Sequence, residues 1–450
     1  MSFPKYDRYK DSGVEWLGEV PKHWEIRAFR RALVSPLSNG IFKKKEYFGN
    51  GILLINVFDI YQNDYTVKFE NLDRVQCTPE EILTYQVLPE DLFFVRSSLK
   101  QEGIGVVAIA EAYSEPVVFE CHLIKARPNS SCLHSRYSSY VFNSTEYRGK
   151  MIAMAKVTTM TTIDQESILS MLLLLPPLPE QRSIATFLDR ETTKIDELIA
   201  EQRQLIDLLK EKRQAVISHA VTKGLNPDAP MKDSAIEWLG EVPEHWEVIP
   251  LGNLAIAIQT GPFGSQLHSE DYVDGQTPVI NPSNIQEGKI IANESCTVPV
   301  EIVERLSHHI LRPGDVIFGR RGEMGRCAMV TDFEAGWLCG TGCLNVRLSE
   351  KALPEFVTTF LRTSYVRERL KLESVGSTMD NLNTSILASI LLPAPPIDEQ
   401  RLIAAFLDRE TAKFDELIAE THHAIALLRE RRTALISAAV TGKIDVRSLV

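Results

Sequence analysis

Long apolar runs are missing from this 450-residue chain. The longest candidate, Met171 to Leu175, stops at Pro176-Pro177, far short of the roughly 20 residues that cross a bilayer. No apolar signal region stands in Met1 to Asp7, so the expected location is cytoplasmic, with no membrane partner. Cysteine is scarce: seven residues, scattered and odd in number, suit reduced thiols rather than a disulfide framework. Positive charge is in deficit. The 49 Lys and Arg face 60 Asp and Glu, a formal net charge of −11, which argues against a surface coated uniformly for nucleic acid. A local basic surface still suffices for phosphate contacts, and the surplus acid is left for partner contacts.

Catalytic signatures are lacking as well. There is no Gly-x-x-x-x-Gly-Lys-Ser/Thr phosphate loop. The glycine-rich loop and Asn/Asp-Pro-Pro-aromatic element of an adenine methyltransferase are missing too, and Asn281-Pro282-Ser283-Asn284 only grazes the latter. Pro176-Pro177 and Pro395-Pro396 read as helix starts, and no nucleophile–base constellation stands out.

What the chain does have, it has twice. The segment Tyr9-Lys10-Asp11-Ser12-Gly13-Val14-Glu15-Trp16-Leu17-Gly18-Glu19-Val20-Pro21 returns as Met231-Lys232-Asp233-Ser234-Ala235-Ile236-Glu237-Trp238-Leu239-Gly240-Glu241-Val242-Pro243, shifted by 238 − 16 = 222 positions. A second block, Glu180-Gln181-Arg182 through Thr192, returns as Glu399-Gln400-Arg401 through Thr411, shifted by 400 − 181 = 219. The stretches between the blocks are of domain size and hardly resemble each other. A frame built twice around two different inserts implies a pseudo-twofold molecule with two different readers. Composition is otherwise that of a soluble globular protein, 44% hydrophobic and 24% charged, with length for two to four domains.

Each unit ends in a long helix. The first begins after Pro176-Pro177-Leu178-Pro179, has no Gly or Pro from Glu180 to Lys223, and stops at Gly224. The second runs from Asp398 to Thr441 and stops at Gly442. At 1.5 Å per residue each reaches about 60 Å. Steps of four and three trace one stripe: Leu188, Thr192, Ile195, Ile199, Gln202, Ile206, Leu209, Arg213, Val216. The shift of 219 gives Leu407, Thr411, Phe414, Ile418, Thr421, Ile425, Leu428, Arg432, Leu435. This is a coiled-coil seam with polar interruptions that fix register. Leu198, Leu205 and Leu417 lie beside the seam and are expected to widen it. A helix packed on its own globule is the alternative, but such length favours antiparallel pairing of the two helices.

The inserts alternate short buried strands with helical spacing. Ile52 to Val57, Asp91 to Val95, Gly103 to Ala108, Thr277 to Ile280, Asp315 to Phe318 and Met324 to Met329 read as strands. Ser138 to Ala153 and Pro354 to Leu372 have helical spacing. The fold class is therefore α+β: two globular domains, each with one twisted sheet, joined by two long helices pairing as an antiparallel coiled coil. The expected division is 1–170 for the first reader, 171–225 for the central helical region, 226–390 for the second reader and 391–450 for the C-terminal helical region.

At these residues the chain resembles the specificity (S) subunit of type I restriction–modification systems, over essentially its full length. The resemblance is carried by Ser12 to Trp24, by Pro176-Pro177-Leu178-Pro179-Glu180-Gln181-Arg182, by Phe187 to Thr192, and by Ala220-Val221-Thr222 with its repeat Ala439-Val440-Thr441. It implies a DNA-binding, non-catalytic subunit whose two target-recognition domains each read one half of a bipartite site in double-stranded DNA. The helices would act as spacer and dock two methylation subunits, with restriction subunits joining the assembled complex. S-adenosylmethionine, ATP and Mg2+ belong on those partners, with no cofactor expected on this chain. The second insert matches the family's recognition-domain pattern at Thr260 to Leu267, Leu311 to Val316 and Met379-Asp380-Asn381-Leu382. The first departs from it, with Asn39-Gly40-Ile41-Phe42-Lys43-Lys44-Lys45 and with Leu88-Pro89-Glu90-Asp91-Leu92 lacking the middle glycine. Two rivals remain: a self-sufficient DNA-modifying enzyme, and a coiled-coil scaffold without a DNA role.

Several loops offer DNA chemistry, each against a plainer reading. Lys43, Lys44 and Lys45 suit successive phosphates, with a solvated charge run as the alternative. In the loop Gly261, Pro262, Phe263, Gly264, Ser265 and Gln266, the glycines permit backbone approach to a groove, and Gln266 suits bidentate pairing with adenine; a structural turn is the alternative. Arg320, Arg321 and Arg326 surround Gly322 and Gly325 after a strand and suit guanine edges or phosphates, as do Arg96 and Lys100 in the first insert; surface charge is the alternative. Cys339 and Cys343 with His308 and His309 lack the tight paired spacing of zinc sites, so free thiols are expected. Trp16, Trp24, Trp238 and Trp246 are read as packing anchors rather than base-stacking aromatics.

Overall fold

The computed structural model describes residues 3–157, 159–322, 325–374 and 382–449, so Met324 and Met379-Asp380-Asn381 lie outside the described residues. The chain divides into two compact units, Met1–Gln204 with Thr421–Val450, and Leu205–Glu420. Each unit therefore takes half of each long helix together with one insert.

Both units are built on one plan, although their inserts differ in sequence. In the first, a four-stranded antiparallel sheet runs Ser38–Asn39, Leu123–Ala126, Leu92–Val95, Val107–Ile109. In the second, Ala255–Thr260, Cys343–Leu348, Val316–Gly319 and Cys327–Met329 follow in the same order. Beside it in each unit lies a three-stranded mixed sheet. Phe48–Ile55 is flanked by parallel Val117–Phe119 and antiparallel Asp73–Val75, and Thr277–Ile280 by parallel Leu338–Cys339 and antiparallel Thr297–Val298. One sheet per insert was the expectation; at least two are found. Alternation and apolar runs reveal strands but not which strands pair. The four side chains of Leu92-Phe93-Phe94-Val95 are all buried, as befits a strand covered on both faces.

A buried carboxylate pins the turn before each central strand. Asp91 accepts from the Leu88 backbone N–H at 2.8 Å and from Arg127 Nε and a terminal nitrogen at 2.7 and 2.8 Å. Asp315 accepts from Arg312 N–H at 3.0 Å and from Arg347 at 2.9 and 2.7 Å. The second turn places Gly314 at φ +82°, and the first holds Glu90 at φ +69° in the same left-handed region. The absent glycine thus changes the residue and not the turn.

The duplicated motifs are the frame. Trp24 is fully buried, and its Nε1 donates to Glu180 Oε1 at 2.9 Å; Tyr6 donates to the same oxygen at 2.7 Å, and His23 Nε2 lies 2.7 Å from Oε2. In the second copy Trp246 and His245 both meet Glu399 Oε2, at 3.0 and 2.8 Å. The next residue ties the helix start to the loop that precedes its own insert helix. Gln181 bonds His134 N–H and the Cys132 and Pro176 carbonyls, and Gln400 bonds Leu353 N–H and the Lys351 and Pro395 carbonyls. Trp16 and Trp238 pack edge-on or tilted against Tyr147 and against Phe360 and Tyr365. These four of the five tryptophans are packing anchors.

The long helices span Leu178–Lys223 and Ile397–Val440, 46 and 44 residues. Every seam residue named above is buried or half-buried. Within the first unit Asp196 pairs with Arg432 at 3.0 Å, and within the second Arg213 pairs with Asp415 at 3.1 Å. Position sums are equal, 196 + 432 = 213 + 415 = 628, so in each unit the helices run antiparallel in one register. The shift of 219 carries Asp196 to 415 and Arg213 to 432, so one ion pair has been written twice. One expectation about the seam fails. Leu198, Leu205 and Leu417 do not widen it but stand 44%, 42% and 45% exposed. They are one step round the helix from the seam, and a two-helix coil buries only a narrow stripe.

Candidate nucleic-acid interface

The polar loops that follow the central strands are held at equivalent places. Arg96 N–H donates to His122 O in the first unit, and Arg320 N–H donates to Gly342 O in the second, both at 2.9 Å. The turn after the second strand runs through Gly322 and Gly325 at φ +84° and +81°. Arg320 is half-buried, its Nε donating to Leu382 O at 3.1 Å. Arg326 donates to Pro282 O at 3.3 Å. Arg321 is exposed. Of the three arginines, Arg321 projects furthest into solvent, while Arg320 and Arg326 also tie their loop to neighbouring segments.

The glycine loop combines packing with display. Gly261 must be glycine for a packing reason, because a Cβ there would sit 1.8 Å from Gly340 O. Gly40 meets the same demand in the first unit, 2.2 Å from Glu120 O. Phe263, Gly264, Ser265 and Gln266 are exposed. Gln266 Oε1 accepts from Phe263 N–H at 3.0 Å, so bidentate pairing with adenine requires that bond to open. Arg305 braces the loop, donating to Gln266 O at 3.1 Å and pairing with Asp271 at 3.0 Å.

In the first unit the lysine triplet is split. Lys43 pairs with Glu81 at 2.7 Å, stands over the Tyr47 ring and is only 13% exposed; the bond holds the Glu81 carboxyl below its ordinary range. Lys44 and Lys45 are exposed and available to phosphates. Lys100 is exposed; Arg96 is half-buried near Cys121. Sequence reasoning missed the residue behind this loop. Arg148, on the helix Thr145–Met154, donates to the Ile104 and Glu102 carbonyls, and burial pushes its pKa down to about 10. The signal was available, since 148 + 219 = 367 and Arg367 packs behind the second unit's loop, where a Cβ on Gly325 would lie 2.7 Å from its Cγ.

Cys339 and Cys343 sit in the core of the second unit, where burial pushes both thiols up, Cys343 to about 12. His308 and His309 lie on a separate short turn, Ser307–His309. Among the described residues the one set of three metal-capable side chains within 4.8 Å is Glu120, Cys121 and His122. Burial raises the Cys121 thiol, and one Glu120 oxygen already accepts from Val57 N–H at 2.9 Å.

The fold defines a duplicated protein: two α+β domains of one plan on a repeated coiled-coil frame. The chain belongs to the type I restriction modification DNA specificity domain family, which matches residues 42–208 and 243–426. It is 25% identical over 457 aligned residues to the putative type I restriction enzyme MjaX specificity subunit of Methanocaldococcus jannaschii, covering 100% of this chain and 99% of that one. It is 23% identical to the EcoBI specificity subunit of Escherichia coli, over 92% of this chain and 85% of the relative. Among solved structures, a chain from work on complex assembly and conformational transition of the type I R-M system superposes with a TM-score of 0.73 at 16% identity, covering 94% of this chain and 98% of the other. The HsdS subunit from Thermoanaerobacter tengcongensis superposes with a TM-score of 0.55 at the same identity and coverage. No described helix is long and apolar enough to cross a membrane.

Proposed function

We propose that this chain is the non-catalytic specificity subunit of a cytoplasmic type I restriction–modification enzyme, and that each unit reads one half of a bipartite DNA site. One observation carries the reading: the frame repeats its key contacts, from the Trp–Glu bonds at Glu180 and Glu399 to the two Asp–Arg pairs, while the loops on it differ. Equivalent frames suit identical partners, and different loops suit unlike half-sites. The paired helices set the unspecified spacer.

Two methylation subunits dock on the frame. In the first unit Leu198 and Leu427 are 44% and 51% exposed; in the second Leu208 and Leu417 are 54% and 45% exposed. The shift of 219 carries 198 to 417 and 208 to 427, so these two exposed leucine positions are duplicated too. S-adenosylmethionine resides on those partners, which flip the target adenine from the duplex. ATP and Mg2+ serve restriction subunits, which join the assembled complex.

Replacing residues 25–170 with the corresponding domain of another family member tests the reading. Methylation mapping should then show one half-site changed and the other intact; a joint change of both halves refutes it. Purified chain alone should transfer no label from S-adenosylmethionine to DNA, which separates it from a self-sufficient enzyme. The assembled complex should shift DNA, which separates it from a scaffold.

A further inference from the structure

A cleft of about 660 Å³ opens wholly within the first unit. One wall is the short helix carrying Phe58, the other is the loop carrying Leu99 and Lys100, and Glu120 lies on the floor. Among the described large hydrophobic residues none is more exposed than Leu99 and Phe58, at 85% and 84%. Two such side chains on one rim leave a patch that water covers poorly.

The cleft's charge selects what can enter. Its lining carries the carboxylates of Asp73, Glu102 and Glu120 against the single lysine, Lys100. That balance repels phosphate. It suits base edges, whose exocyclic amino groups donate to carboxylates and whose thymine methyl seeks apolar contact. Two of the three carboxylates are also fixed in place: Glu120 accepts from Val57 N–H at 2.9 Å and Asp73 from Asn56 Nδ2 at 3.0 Å. Arg148 clamps the opposite wall from behind. At the equivalent floor the second unit has Gly340-Thr341-Gly342 in place of Glu120-Cys121-His122, so the frame is shared here and the chemistry is not.

We propose that the first reader takes base edges of duplex DNA in this cleft, with a thymine C5-methyl group held between Phe58 and Leu99. The proposal rests on the DNA-specificity reading above and names the residues of one half-site.

The test uses the complex assembled with methylation subunits, and duplexes in which each thymine of the first half-site is replaced in turn by deoxyuridine, which lacks only the methyl group. Wild type should lose about 3- to 10-fold in affinity at one position, the range for one buried methyl group. Phe58→Ala and Leu99→Ala should lose a similar factor on thymine DNA and become indifferent to the replacement. Preference in the second half-site and the salt slope should not move. Because both side chains are exposed, neither variant should unfold, and thermal melting checks this. Variants that keep the wild-type thymine preference, a first half-site indifferent to every thymine methyl, or variants that lose the methylation subunits with base preference intact would each overturn the proposal. The last outcome would assign the rim to a protein partner. A wild-type complex with no bipartite site would instead refute the underlying reading.

Discussion

Arg148 tests whether a reading loop is positioned from behind. The guanidinium is half-buried, faces two carbonyls, and has its pKa pushed down to about 10, chiefly by burial. Burial disfavours the charged form, and the two carbonyls favour it. The burial penalty is fully present at every pH below about 10. Two charge-assisted hydrogen bonds, at roughly 1.5–3 kcal/mol each, offset it. Arg148→Met removes both sides of this balance, so stability should change by no more than about 2–3 kcal/mol and the fold should survive. The Glu102 and Ile104 carbonyls lose their donors, and the loop bearing Leu99 and Lys100 loses its fixed position. Discrimination at the first half-site should then fall about 10-fold, a loss of roughly 1.4 kcal/mol, while the second half-site keeps its wild-type profile. Arg148→Lys, with one compact ammonium group for a planar fork, should recover part of the loss. The assay is binding of the assembled complex to single-base variants of both half-sites, with chemical denaturation of each variant chain. Wild-type discrimination at the first half-site in a folded Arg148→Met variant would refute the positioning role. So would an equal loss at both half-sites.

In the second unit, Arg321→Ala should weaken binding evenly over all sequences and reduce the salt slope by about one contact if this exposed residue holds phosphate; a base-specific loss of about 1–3 kcal/mol is expected of Arg320→Ala, whose Nε is fixed on Leu382 O. Base-variant panels at two salt concentrations decide between these roles, and unchanged affinity in both variants would remove the loop from the reading surface. In the first unit, Glu90→Gly places the residue used at position 314 into a turn already at φ +69°, and should stabilise the chain by about 0.5–1 kcal/mol in denaturant titration. A destabilised variant would show that the Glu90 side chain matters more than its backbone.

The frame was legible because it was written twice. Trp24 and Trp246 could be read as anchors from their repeated surroundings, and the helical seam from its spacing, since both depend on local order. The partner of those tryptophans was not foreseen. Glu180 and Glu399 stand about 150 positions away, and only folding shows that a helix-start carboxylate receives an indole N–H. The leucines flanking the seam were misassigned because spacing alone does not fix how wide a stripe a partner helix covers. Site residues were harder. A lysine triplet looks uniform in sequence, yet Lys43 meets Glu81 on the short helix Pro79–Thr84 while its neighbours stay exposed. Phe58 and Leu99 gave no signal: Phe58 follows an apolar strand and Leu99 stands alone in a polar loop, and both settings normally turn such a side chain inward. Arg148 had a matching partner in the second copy, but inside inserts that otherwise diverge, one shared arginine is easily passed over.

The duplicated leucines permit the sharpest test of why the frame repeats. The sums 198 + 427 and 208 + 417 are both 625, three short of the 628 shared by the ion pairs. Within each unit the two leucines therefore stand within about 5 Å of one level along the coil. Each is about half exposed, so completing its burial contributes roughly 1 kcal/mol, and placing Asp there adds a carboxylate to be desolvated on docking. Changing Leu198 and Leu427 to Asp should remove one methylation subunit and leave the other bound; changing Leu208 and Leu417 should do the same from the second unit. All four changes together should yield a folded chain that binds neither partner. Mass measurement of complexes formed with excess methylation subunit reads the outcome directly as two, one or none. Two partners bound to the fourfold variant would show that docking uses other surfaces, and the duplication of exposed leucines would then lose its explanation. Loss of both partners from either double variant would show instead that the two sites are coupled rather than independent.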